Sequence, residues 1–182
     1  MKAYVVVEGP ADVKLITCLL PQEIQRQVAV VSASGRSNLT SVARTILVTR
    51  RKPLVILRDA DNIDQSSTEH LRSETEEFVR AVSVGIPFKV FLIVPEIEAL
   101  LFTVPAALER LTGQQLSPGD LALAKFRPKQ VIMKLGLSNT SGIEQIVKGL
   151  TEQERNEIRE VSPIKEMIDF LSEVTLAMPQ LA

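Results

Sequence analysis

A doubly wound α/β fold, with a mainly parallel sheet of about four strands flanked by helices, is predicted by three observations in this 182-residue chain. Short runs of Val, Ile, Leu and Phe alternate with helical patterns over the first half, the order that βαβ units impose. Three of the four runs are uninterrupted by polar residues, as strands buried on both faces must be, whereas half-exposed antiparallel strands alternate. Helix-start residues follow the runs, where right-handed crossovers begin.

The first run is Ala3–Val7, and Pro10 suits the first position of a helix over residues 10–20. The second, Val28–Ser32, leads through Ser34-Gly35-Arg36-Ser37-Asn38 into a helix over Leu39–Arg50 that Ser37 or Asn38 caps. The third covers residues 54–57, after which Ser66 or Ser67 is expected to cap a helix over 68–84; the fourth covers 89–94. After Pro105 the strand signal disappears and helical segments dominate. Thr151 with Glu154 reads as a capping box, Ser162 with Pro163 as a further start, and Ile164, Met167, Ile168 and Leu171 as one apolar stripe. The stretch 113–128, holding Pro118, Gly119 and Pro128, is the expected loop and mobile insertion. The chain thus divides into an α/β core, 1–104, and a helical extension, 105–182, packed on it as one structural unit.

Composition excludes several classes. With 45% apolar and 24% charged residues the chain is globular, neither disordered nor fibrous. The sole cysteine, Cys18, rules out an intrachain disulfide and a thiolate zinc cluster. No stretch approaches the roughly 20 apolar residues of a membrane span, and Glu8 and Asp12 interrupt the N-terminal apolar run, so a cytoplasmic protein without membrane attachment is expected. A net charge of -1 offers no global attraction to nucleic acid. Arg26, Arg36, Arg44, Arg50, Arg51, Lys52 and Arg58 crowd the first third, and a solvated helix face accounts for them.

Ligands of an open parallel sheet bind at the carboxyl ends of its strands. There the first run ends in Glu8, an acid with no structural reason to close a continuous apolar strand, and the third in Arg58-Asp59-Ala60-Asp61-Asn62. Adjacent strands lie about 4.8 Å apart, so Glu8, Asp59 and Asp61 can share an ion or a pair of ions. Oxygen donors without accompanying His or Cys favour Mg²⁺ or Mn²⁺ over zinc; the single histidine, His70, reads as a surface residue. The fourth run continues into Pro95-Glu96-Ile97-Glu98. Ordinary complementarity of acids to a helix start explains these two glutamates as well as a metal role does, and in a regular helix they would not share a face. Backbone amides around Gly35, Arg36 and Ser37 can hold a phosphate, although turn chemistry explains them equally. Lys129, with Lys125 nearby, could neutralise charge developing on phosphorus, a solvated lysine being the ordinary alternative.

Three pieces, Val6-Val7-Glu8-Gly9 with Asp12 following, Leu57-Arg58-Asp59-Ala60-Asp61, and the Ser34-Gly35-Arg36-Ser37-Asn38 turn, together resemble the Toprim domain of topoisomerases, primases and nucleases over about half the chain. Pro95-Glu96-Ile97-Glu98-Ala99-Leu100-Leu101 after the fourth run is similar to compact Toprim-like proteins and to the overcoming-lysogenisation-defect nucleases of bacterial and phage defence. The resemblance implies a two-metal nuclease acting on nucleic acid, DNA first. Glu8, Asp59 and Asp61 would hold metal, Glu96 or Glu98 would complete the second ion's shell, and Lys129 would assist. Two departures stand out. Those nucleases carry an ATPase domain, whereas this sequence has no Gly-x-x-x-x-Gly-Lys loop, so an ATPase would be a separate subunit. The sole tyrosine, Tyr4, lies within the first strand, which argues against a topoisomerase acting alone. A non-catalytic Toprim-like adaptor that binds metal or nucleic acid, and a receiver domain with an acidic Mg²⁺ pocket, are the competing readings. Oligomeric state is not encoded in any recognisable pattern.

Overall fold

The computed structural model describes residues 1–137 and 140–176. Four strands, β1 (Ala3–Val7), β2 (Val28–Ser32), β3 (Leu54–Asp59) and β4 (Phe88–Ile93), form one sheet in the order β2-β1-β3-β4, every pair parallel. The central strands β1 and β3 are covered on both faces, as expected, whereas the edge strand β2 is only partly buried. β3 runs two residues beyond the expected end, so Arg58 and Asp59 are still pleated and point to opposite faces. Register pairs Val7 with Ser32 and Asp59 with Ile93, aligning the carboxyl ends of all four strands along one edge.

One face packs on α3 (Leu39–Arg50) and α4 (Gln65–Ser83), burying Val6, Leu54, Ile56 and Val90 against Leu39, Leu47 and Val79. On the other, Val5, Val7, Val55, Leu57 and Ile93 meet α1 (Pro10–Leu19), the short α2 (Gln22–Gln25) and the later helices. These are α5 (Pro105–Thr112), α6 (Pro118–Ala124), α7 (Pro128–Lys134), α8 (Thr140–Gly149), α9 (Glu152–Arg159) and α10 (Ile164–Leu176). A single apolar cluster runs from Val5 through Leu15 and Leu101 to Ile146 and Leu171, so strands and later helices share one core. Each fully buried Leu or Ile there contributes about 1.5–3 kcal/mol by leaving water.

Several local signals operate as read. Pro10 opens α1; Thr151 accepts the Glu154 N–H while Glu154 accepts the Thr151 N–H; and Ile164, Met167 and Leu171 are buried on one stripe of α10. Others need correcting. α4 starts three residues earlier than expected, capped not by Ser66 or Ser67 but by Asp64, whose carboxylate accepts the Ser67 N–H at 2.7 Å. Asn38 stands at the cap of α3 but makes no side-chain capping bond, because a 3₁₀ turn, Arg36–Asn38, leads into the helix. The stretch 113–128 is not a loop. After Gly113 closes α5 in the left-handed region, Ser117 and Asp120 form a reciprocal cap on α6, and Asp120 also accepts from Lys134 Nζ at 2.6 Å. Pro118 and Pro128 start helices there instead of breaking them. The last residues of the expected helical extension, 177–182, lie outside the described residues.

Candidate metal centre

Glu8 is the first residue past β1, half-buried at the carboxyl edge. Its Oε1 is buried with no hydrogen-bond partner. Burial raises its carboxyl above the ordinary range, while Arg36, the backbone of Asp59 and Arg58 pull the other way. Gly9 follows in an extended conformation, and Asp12 in the first turn of α1 folds back to accept the Gly9 N–H at 2.7 Å. That bond anchors Asp12 beside Glu8, and burial raises its carboxyl as well.

Asp59 closes β3 on the face that holds Val55 and Leu57. Its Oδ1 accepts the Ile97 N–H at 2.8 Å. Burial, then the charges of Glu8, Asp12 and Glu98, push its carboxyl up to about 8, against the Ile97 hydrogen bond. Three neighbouring acids acting on one group put all four carboxylates in the same neighbourhood. Beyond Asp59 the chain leaves the strand: Ala60 donates to the Ile93 carbonyl at 2.9 Å, and Asp61 turns left-handed at φ 52° with its N–H on the Pro95 carbonyl at 2.8 Å. The Asp61 carboxylate consequently swings outward, exposed, into an ion pair with Arg36. Asp59 and Asp61 are thus not brought side by side.

After β4 the chain does not begin a regular helix. Glu96 is extended, and a 3₁₀ segment, Ile97–Thr103, follows. The helical-wheel objection to Glu96 and Glu98 therefore lapses, and both meet Lys129 at the start of α7. Glu96 Oε2 accepts the Lys129 N–H at 3.4 Å, and Glu98 Oε1 lies 3.8 Å from Lys129 Nζ. Glu98 is 8% exposed, its Oε2 has no partner, and burial raises its carboxyl. The Glu98 charge in turn raises the Lys129 ammonium, with Glu96, Asp59 and Asp12 acting in the same sense against burial.

Glu8, Asp12, Arg36, Asp59, Glu98 and Lys129 line one open cleft of about 500 Å³; Asp61 and Glu96 are not among its lining residues. As the side chains stand, no three acidic, histidine or cysteine residues among those described are close enough together to cage an ion. The donor set nonetheless fits a hard divalent cation. It is all oxygen, two carboxylate oxygens are buried without a donor, and burial, then the neighbouring acids, have driven one carboxyl to about 8. Mg²⁺ is commonly held by one or two carboxylates with water completing its shell, so a full protein cage is not required.

Gly35, at φ 124° behind Ser34 at φ 58°, donates its N–H to the Glu8 carbonyl at 2.9 Å and lines the same cleft. Arg36 donates to the Asp59 carbonyl at 3.4 Å, whereas Ser37 faces a separate pocket. Of the other cations in the first third, Arg50, Arg51 and Lys52 follow α3 to the opposite edge of the sheet, away from the cleft. His70 is exposed on α4. Asp12 is the cleft residue that spacing arguments undervalued; its signal was an acid three positions after a strand-end glycine, the place from which a carboxylate can reach back to a helix cap.

No protein-family model matches the sequence, and no curated protein matches it. Among the described residues no helix is long and apolar enough to cross a membrane. Solved structures do match. The C-terminal region of the Burkholderia pseudomallei OLD protein aligns with 94% of this chain and 97% of its own at a TM-score of 0.54 and 16% identity. The corresponding region of the Xanthomonas campestris pv. campestris OLD protein does so over 94% and 97% at 0.53 and 15%. At these identities the likeness speaks for the fold: the chain has the Toprim-like α/β architecture, a four-stranded parallel sheet flanked by helices, in common with the C-terminal regions of OLD proteins.

Proposed function

We propose that this chain is a metal-dependent nuclease that hydrolyses phosphodiester bonds, with its reaction centre in the cleft between Glu8, Asp12, Asp59 and Glu98. One observation carries the reading: four carboxylates converge at the carboxyl edge of a parallel sheet, where burial and then one another's charge keep Asp59 protonated up to about pH 8. A fold has little reason to assemble such a group unless a cation joins it. Glu8 and Asp59 would hold the first ion, and Asp12 and Glu98 would contribute to a second. Asp61 and Glu96 stand one step back, tied to Arg36 and to the Lys129 backbone. Bound Mg²⁺ or Mn²⁺ supplies activation of water and stabilisation of the leaving oxygen. The chain's own contribution is electrostatic. Lys129 faces the carboxylates across the cleft and offsets negative charge building on the non-bridging phosphate oxygens, while Arg36 holds the flanking phosphate.

Likeness to C-terminal regions of OLD proteins supports a nucleic-acid substrate, DNA in the first instance, and a separate ATPase subunit as partner. A second reading, a non-catalytic adaptor that binds metal or nucleic acid, is favoured by the outward turn of Asp61, which keeps one of the sequence-read acids out of the cleft, and by the spacing of the acids, no three of which among the described residues are close enough to cage an ion. The deciding experiment incubates the purified protein with supercoiled plasmid, single-stranded DNA and RNA, in Mg²⁺ or Mn²⁺ and in EDTA, beside Glu8→Gln. Metal-dependent cleavage lost in the variant supports the nuclease; cleavage that persists in Glu8→Gln removes the site assignment, and none in any condition favours the adaptor.

A further inference from the structure

The carboxyl edge of the sheet carries a second concavity on its opposite face. Leu54, Ile56 and Arg58 point away from Asp59, toward α3 and α4. Arg58 donates from Nη1 to Thr75 Oγ1 at 2.9 Å, and the Thr75 hydroxyl in turn donates to the Leu71 carbonyl at 2.7 Å. Arg58 Nε is buried with no acceptor. Arg58, Arg36, Ser37, Thr40, Thr75 and Phe78 line a pocket of about 330 Å³, with exposed Glu74 beside them. That volume sits at the lower end of the roughly 300–1,000 Å³ found for small-ligand pockets.

Two guanidinium groups share this small space, and only one of them has a carboxylate bound to it. The Arg58 guanidinium, held by Thr75 and lining the pocket, offers a planar donor fork that matches phosphate. Phe78 lies three residues after Thr75 on the same face of α4 and is 54% exposed, a large apolar ring left in water beside two cations. Arg36 also lines the carboxylate cleft, so the two cavities meet at that residue across the sheet edge.

We propose that this pocket is a nucleotide subsite for an unpaired stretch of the nucleic-acid strand: Arg58 and Arg36 hold the phosphate next to the one in the carboxylate cleft, and Phe78 stacks its base. A stacking platform serves a single strand, because both faces of a duplex base are already covered by its neighbours. The subsite rests on the cleft being a phosphodiesterase, and its substrate class is therefore single-stranded or locally melted nucleic acid.

Binding of a fluorescein-labelled oligothymidylate and of the same strand in duplex, read by anisotropy in EDTA, tests this without cleavage. Phe78→Ala, at an exposed position, is expected to weaken single-strand binding by roughly 5- to 150-fold and leave duplex binding unchanged. Arg58→Gln is expected to lower the salt slope, log K against log salt, by about 0.7 for the lost phosphate contact, with circular dichroism confirming that β3 is intact. Single-strand affinity unchanged in Phe78→Ala overturns the subsite, and if Glu8→Gln has still abolished metal-dependent cleavage, the nuclease reading survives it. Thymidine monophosphate bound as tightly as the oligonucleotide overturns the strand assignment. A wild-type protein that neither binds nor cleaves either form overturns both.

Discussion

Replacing Asp59 by Asn should make the metal-free protein more stable in alkali than the wild type. The unfolded chain ionises this carboxyl near its ordinary 3.8, whereas the fold retains the proton up to about 8. The group's contribution is therefore complete below about pH 4, declines as pH rises, and is gone above about 8, the reverse of a salt-bridged aspartate. Each pH decade in that window is worth ~1.4 kcal/mol. Going from pH 6 to pH 9 crosses about two of them, a loss on the order of 3 kcal/mol out of the ~5–15 kcal/mol that a domain this size commands. Burial raises Glu8, Asp12 and Glu98 in the same direction, so their ionisation opposes folding in the same sense. Urea unfolding followed by circular dichroism in EDTA, at pH 6 and pH 9, measures the difference. Wild type should lose stability over this interval and recover it when Mg²⁺ is added; Asp59→Asn should lose little and respond weakly to Mg²⁺. Equal pH dependence in the two proteins would refute the argument that burial and the neighbouring acids hold this proton.

Lys129→Ala should reduce cleavage by ~100-fold with little change in urea midpoint, because its side chain is 60% exposed and its role is charge. Leu101→Ala, at a fully buried position in the 3₁₀ segment that carries Glu98, should cost ~2–5 kcal/mol in urea unfolding. Val84 closes α4 in the left-handed region at φ 35° while 75% exposed, so Val84→Gly should raise the thermal midpoint, the gain being ~1 kcal/mol.

How far the sequence could be read depended on whether each signal was local. Strands buried on both faces carry contiguous Val, Leu and Ile, so β1 and β3 stood out, and an acid closing such a run marked Glu8 without reference to anything distant. Asp59 and Asp61 were harder. Alternate residues share a face only while the strand continues, and the left-handed turn at Asp61, held by the Pro95 carbonyl, is set by a segment 34 residues on. The spacing of Glu96 and Glu98 leaves a helix-start role and a metal role equally open; the 3₁₀ conformation of Ile97–Thr103, whose Leu100 and Leu101 are buried in the core, is a tertiary choice that the spacing does not reveal. The misjudged stretch 113–128 was different, for Ser117-Pro118-Gly119-Asp120 is a legible cap. Its Pro and Gly were weighed as breakers when their positions made them helix starters.

The most direct test of the account is Mn²⁺ binding to the cleft, measured by electron paramagnetic resonance on the purified protein, on Glu8→Gln and on Asp59→Asn. Saturable binding by the wild type that both substitutions weaken at least tenfold is the predicted result. Equal affinity in all three proteins, or none in the wild type, would contradict it.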